Sequence, residues 1–117
     1  MRWLAGTALL ALFAVAPSLS ATRPSLHVTP GVVAPGAQIH VTGNAHGCLR
    51  GDIVSVLSRA FPGHGFAGLG VISARVRAGG AFSATGRVRR KATPRRYTVT
   101  ARCGGGNLGV TAHLRVT

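Results

Sequence analysis

Acidic residues are almost missing from this chain. Its 117 residues hold one aspartate, Asp52, and no glutamate, against thirteen arginines and one lysine, for a formal net charge of +13. A lone carboxylate excludes mechanisms that need a pair, so glycosidase and aspartic-protease chemistry are ruled out. There is no Gly-x-Ser-x-Gly elbow, no His-Glu-x-x-His and no phosphate loop ending in Gly-Lys-Ser/Thr. Five histidines, His27, His40, His46, His64 and His113, are scattered along the chain. His46 with Cys48 makes at most half a metal site and reads as a loop histidine beside a disulfide. "GGGNLG" at 104–109 lacks the parallel βα unit of a nucleotide site and reads as a flexible turn. No enzyme, cofactor or metal is expected.

A long apolar span is also lacking. The one apolar stretch, "MRWLAGTALLALFAVAPSLSA", is short for a membrane crossing. It begins with Arg2, runs through an apolar segment, and ends with the small residues Ser18 and Ser20 at −3 and −1 before Ala21. That is the layout of a secretory signal peptide. The expectation is a signal at 1–20, a domain at 21–117, a secreted protein, and no transmembrane anchor after cleavage. Outside the cell, Cys48 and Cys103 are expected to pair. In the chain-entropy model, closing so long a loop is worth about 4 kcal/mol.

Beyond Ala21 the apolar pattern has period two. "SLHVT", "AQIHVTG", "DIVSVLS", "VISARVRA", "AFSATGRVR", "RRYTVTARC" and "LGVTAHLRVT" read as seven strands, A to G, separated by Gly- and Pro-rich turns. Six alternate apolar and polar residues; "DIVSVLS" is apolar on both faces and reads as a central strand. No helix of useful length is predicted. The expected fold is all-β, an immunoglobulin-like antiparallel sandwich. Successive reversals place Cys48, after strand B, and Cys103, at the end of strand F, at one pole. Strands D and E are expected to form a hairpin around Gly79-Gly80-Ala81. Ala78 and Phe82 would face in, Arg75 would lie opposite Thr85, and Ser73 opposite Arg87.

The stretches "VTPGVVAPGAQIHVTGNAHGC", "LSRAF", "GGAFSA" and "YTVTARCGG" resemble small secreted Ig-like proteins of actinobacteria. A fainter similarity is to the neocarzinostatin-type carrier proteins, whose second disulfide is missing here. The resemblance implies an Ig-like sandwich in a non-enzymatic extracellular or cell-envelope protein. Two features depart from antibody-type domains. The mature stretch has no tryptophan, and Tyr97 lies six residues before Cys103 rather than two, so no tyrosine corner is expected.

"GRVRRKATPRRY", Gly86 to Tyr97, carries six cations in twelve residues. It spans the end of strand E, the E–F loop and the start of strand F. Strand parity brings the long C–D connection, with Arg59, Phe61, His64 and Phe66, to the same pole. Arg59, Arg89, Arg90, Lys91, Arg95 and Arg96 are the candidate anion-binding residues. The candidate partners are an anionic envelope polymer, a lipid headgroup or an acidic protein, with no specific nucleic acid. Asp52, within Arg50-Gly51-Asp52, is expected to pair with Arg50 rather than serve as an integrin motif. Two other readings stand beside this one. The first is a wet basic face produced by the codon usage of a GC-rich genome. The second is a small-molecule carrier with a cleft between its sheets.

Overall fold

A computed structural model describes residues 23–104 and 106–117. The signal segment at 1–20 and the mature start at Ala21 lie outside them. The chain is all-β, in two facing sheets. The strands are β1 (Ser25–Thr29), β2 (Val32–Val33), β3 (Gln38–Asn44), β4 (Ile53–Ser58), β5 (Gly70–Arg75), β6 (Ala81–Arg87), β7 (Arg95–Cys103) and β8 (Gly106–Val116). One sheet has the order β1-β3-β6 and the other β2-β8-β7-β4-β5. Among the described residues no helix is long and apolar enough to cross a membrane.

The alternation read in the sequence is the alternation that packs. Ile39 and Val41 of β3 meet Val54, Val56, Val99, Ala101 and Leu114 of the second sheet, all fully buried. Each side chain of this size contributes about 1.5–3 kcal/mol by leaving water. β4, apolar on both faces, lies between β7 and β5 as a central strand should.

Three local expectations are corrected. First, an eighth strand exists. After Pro30 the chain crosses from the first sheet to the second, where β2 pairs with the end of β8 in parallel. The Arg115 N–H donates to the Gly31 carbonyl and the Thr117 N–H to that of Val33, at 2.8 and 2.9 Å. Two residues carry no readable period. Second, the "GGGNLG" stretch is mostly strand: β8 starts at Gly106, and the Asn107 side chain accepts the Gly109 N–H at 2.7 Å.

Third, β5 and β6 do not form a hairpin. β5 pairs with β4, so Ser73 faces Ser55 and Arg75 faces Ile53. β6 pairs with β3, so Thr85 faces His40 and Arg87 faces Gln38. The turn at Ala78–Gly80 is a corner between sheets. It is tied to the end of β3 by Ala45 N–H to Gly80 O at 2.7 Å and by Asn44 Nδ2–H to Gly79 O at 3.0 Å. Phe82 is buried as expected, but Ala78 is exposed. The stacking of the sheets shows at Gly86, where a Cβ would collide with the Ile72 side chain of the facing sheet. A tight glycine turn looks the same in a hairpin and at a corner. What decides is that β3 and β4 each take one of the two strands as a neighbour.

The disulfide joins Cys48 to Cys103 across 55 residues, with Cα atoms 6.4 Å apart. It ties the turn after β3, in the first sheet, to the end of β7, in the second. Replacing both cysteines by serine is expected to cost about 4 kcal/mol, read as a lower urea midpoint with a somewhat steeper slope from the more expanded unfolded chain. An unchanged midpoint would show that the bridge contributes nothing. Gly43 offers a second test. A Cβ on it would meet the Ser25 carbonyl and the Phe82 ring, whereas one on Gly31 meets nothing within 4 Å. Gly43→Ala is expected to cost about 1–3 kcal/mol in the same assay and Gly31→Ala within about 0.5 kcal/mol of zero.

Candidate anion-binding site

The end of the sandwich opposite the disulfide is built from two loops. β7 starts at this end with Arg95 and finishes at Cys103, so the poles are about 27 Å apart. The first loop, residues 59–69, links β4 to β5; the second, residues 88–94, links β6 to β7. Both are anchored from below: Ala60, Phe61, Val88, Ala92 and Tyr97 are buried in the core. The loops are therefore part of the packed domain, and their polar groups face outward from a fixed base.

Arg89 is the most constrained residue here. Its N–H donates to the Ala60 carbonyl at 2.8 Å, and its own carbonyl accepts the N–H groups of Gly36 and Ala92, each at 3.2 Å. Its Nε–H donates to the Arg59 carbonyl at 2.8 Å. The side chain is half-buried, while Arg59, Arg87, Arg90, Lys91 and Arg95 around it are exposed. Arg87 reaches the Gly36 carbonyl through Nη1 at 3.2 Å, and the Arg95 guanidinium lies 4.9 Å from the centre of the Tyr97 ring.

Two open clefts flank Arg89. One is lined by Arg59, His64, Arg89 and Arg95, with the Thr93 and Tyr97 side chains between them. The other is lined by Arg87, Arg89, Arg90 and Lys91, with Pro62 supplying carbon surface and the buried Val88 at its base. Five of the six expected contact residues, Arg59, Arg89, Arg90, Lys91 and Arg95, thus line this pair of clefts. Arg96 does not. One residue along β7 reverses the face, so Arg96 points outward from the second sheet, in register with Arg115 of β8. Arg87 and His64 join the site; both belonged to stretches expected at this pole. The Gly36 turn was not foreseen, because "PG" signals a reversal but not what its carbonyl will hold.

The aromatic residues go elsewhere. Phe61 is core. Phe66 sits on a tight turn closed by Leu69 N–H to Phe66 O at 2.8 Å, with Ala67 at φ 51°. The turn folds back over the second sheet. The Arg102 guanidinium lies 4.8 Å from the centre of the Phe66 ring, beside Ile53 and Val71.

The one acidic side chain is remote as well. Asp52 immediately precedes β4 at the disulfide end, and β4 spans the sandwich before reaching Arg59. That is about 20 Å, well beyond a Debye length of about 8 Å at physiological salt. Its carboxylate accepts the Leu49 N–H at 3.1 Å, in place of the pairing with Arg50 expected from sequence. Among the described residues no group of three potential metal ligands occurs.

Tyr97 locks the second loop despite its unusual spacing from Cys103. Its hydroxyl donates to the Thr93 carbonyl at 3.0 Å, and the Thr93 hydroxyl lies 3.1 Å away. This is the task of a tyrosine corner, a bond back to main chain a few residues upstream, which the spacing argued against. Tyr97→Phe is expected to cost about 1 kcal/mol and lower the melting temperature by about 4–8 °C. An unchanged melt by circular dichroism would remove this bond from the account of the loop.

No family model matches the chain, and no curated protein does. Among solved structures, it is similar to the Pseudomonas fluorescens alkylpurine DNA glycosylase AlkC bound to DNA containing an abasic site analog. The TM-score is 0.55 and the identity 20%, over 81% of this chain and 30% of that one. At that identity the likeness is one of fold, and this chain spans about a third of that protein's length.

Proposed function

We propose that the chain is a non-enzymatic, immunoglobulin-like module, exported through its 1–20 segment, that works by surface contact at the cell envelope or outside the cell. Its partner is anionic and seats on the basic pole. The observation that carries this reading is the convergence of Arg59, Arg89 and Arg95, from separate segments, on one cleft that holds no carboxylate. Arginine forks suit phosphate oxygens, and Arg89 is held ready by main-chain bonds before any ligand arrives.

Further features support the reading. The bridge joining the two sheets and the bond from the Tyr97 hydroxyl to Thr93 are in keeping with an Ig-like sandwich. The space between the sheets is filled by buried side chains, which favours surface contact over the small-molecule carrier. The cleft offers several cations and no acidic side chain, a set suited to holding an anion. AlkC is described as bound to DNA, and a DNA duplex is therefore a fitting comparison polyanion.

The test is binding of a fluorescent anionic polymer by anisotropy from about 50 to about 300 mM salt. Three arginine contacts predict a log–log slope of about −2. Arg59→Ala/Arg89→Ala/Arg95→Ala is expected to lower affinity at least tenfold and flatten the slope. Arg96→Ala removes one charge outside the clefts and is expected to change affinity less than about threefold. Affinity that ignores salt, or falls equally for Arg96→Ala and each single cleft variant, would overturn the proposal.

A further inference from the structure

We infer that the ligand of the basic pole is a linear polymer of phosphodiesters joined by short carbon spacers, with consecutive phosphates in the two clefts and Arg89 between them. This inference rests on the reading of the pole as an anion site and adds the ligand's chemistry.

Arg89 lines both clefts. Its Nε–H is committed to the Arg59 carbonyl, so side-on pairing through Nε and Nη is closed to it. Four N–H donors remain on the two terminal nitrogens. From its place on both clefts, the guanidinium can share them between an oxyanion in each. Each cleft then supplies separate cations: Arg59 and Arg95 on one side, Arg87, Arg90 and Lys91 on the other. One small anion satisfies only one set.

The two sides differ in chemistry. The first cleft adds His64 to its arginines, while the Thr93 and Tyr97 hydroxyls beside it are bonded to each other. The second has the exposed ring of Pro62 among its cations. Carbon surface contributes nothing to a bare chain of phosphates, but it packs against an alkanol spacer. Linking two anions through such a spacer makes the second contact intramolecular, so affinity steps up once the ligand reaches both clefts.

The experiment uses the mature protein and synthetic oligomers of glycerol phosphate with one to six phosphates, measured by calorimetry. Affinity is expected to rise at least tenfold within the first three units, then only with the number of overlapping sites. Arg90→Ala/Lys91→Ala is expected to remove most of the rise between one and three units. Arg89→Lys keeps the charge and loses the paired terminal nitrogens; it is expected to fold normally by circular dichroism and to lose the rise as well. Inorganic tripolyphosphate, which has no carbon, is expected to bind at least fivefold more weakly than the three-unit oligomer. A smooth increase with total charge, an unchanged rise in both variants, or equal binding of tripolyphosphate or of a DNA duplex of matched charge would overturn this inference. Those results would leave the basic pole standing as an anion site. If no oligomer binds and the Arg59/Arg89/Arg95 triple variant alters nothing, the underlying reading fails with it.

Discussion

A single main-chain hydrogen bond, from the Arg89 N–H to the Ala60 carbonyl, couples the two sheets at the basic end of the molecule. Arg89 follows β6 of the first sheet, and Ala60 follows β4 of the second. At the far end the coupling is covalent, through Cys48 and Cys103. Between these ties lies a filled core in which Gly43 makes room for Phe82 and Gly86 for Ile72. A small domain buries a modest fraction of its surface, so ties at the ends restrict splaying that the core alone resists weakly. The basic loops inherit their rigidity from this arrangement, since Arg89 serves as both structural link and cleft wall.

The scarcity of acids shapes how the arginines are held. In most proteins, carboxylates would order such side chains and neutralise them together. Here the partners are neutral. Arg89 and Arg87 donate to the carbonyls of Arg59 and Gly36, and Arg75 to that of Gly51 at 2.8 Å. Arg77 donates to the Ser83 hydroxyl at 3.0 Å, while Arg95 lies over the Tyr97 ring. Such partners fix the guanidinium and leave its charge in place. An ordered cation that keeps its charge loses less entropy on meeting an anion, and no salt bridge has to break first. Mutual repulsion is the cost, moderated by placing the cations on loop surfaces open to water.

Period-two alternation made six of the eight strands legible, because one wet face and one dry face is a local property of each strand, and a run apolar on both faces marked β4 as central. The bridge was legible because strand parity places the end of β3 and the end of β7 together, and the same parity placed the two basic loops at one end. What escaped were features decided by partners distant in sequence. β2 pairs with β8 across some eighty residues, and its two valines carry no period. The corner between β5 and β6 turns on which strands β3 and β4 take as neighbours, and its glycines read as an ordinary hairpin. Phe66 leaves the basic pole because a tight turn carries it to Arg102. Tyr97 does the work of a corner from a position that motif spacing would pass over.

Composition and placement answer different questions about the basic surface. Arg96 and Arg115 lie side by side on the outer face of the second sheet, and both side chains are exposed. Arg89 differs in kind. It is half-buried, its amide and carbonyl join three segments, and its Nε–H is spent on a fourth residue's carbonyl. Its guanidinium is thereby set among neutral partners, with cations to either side.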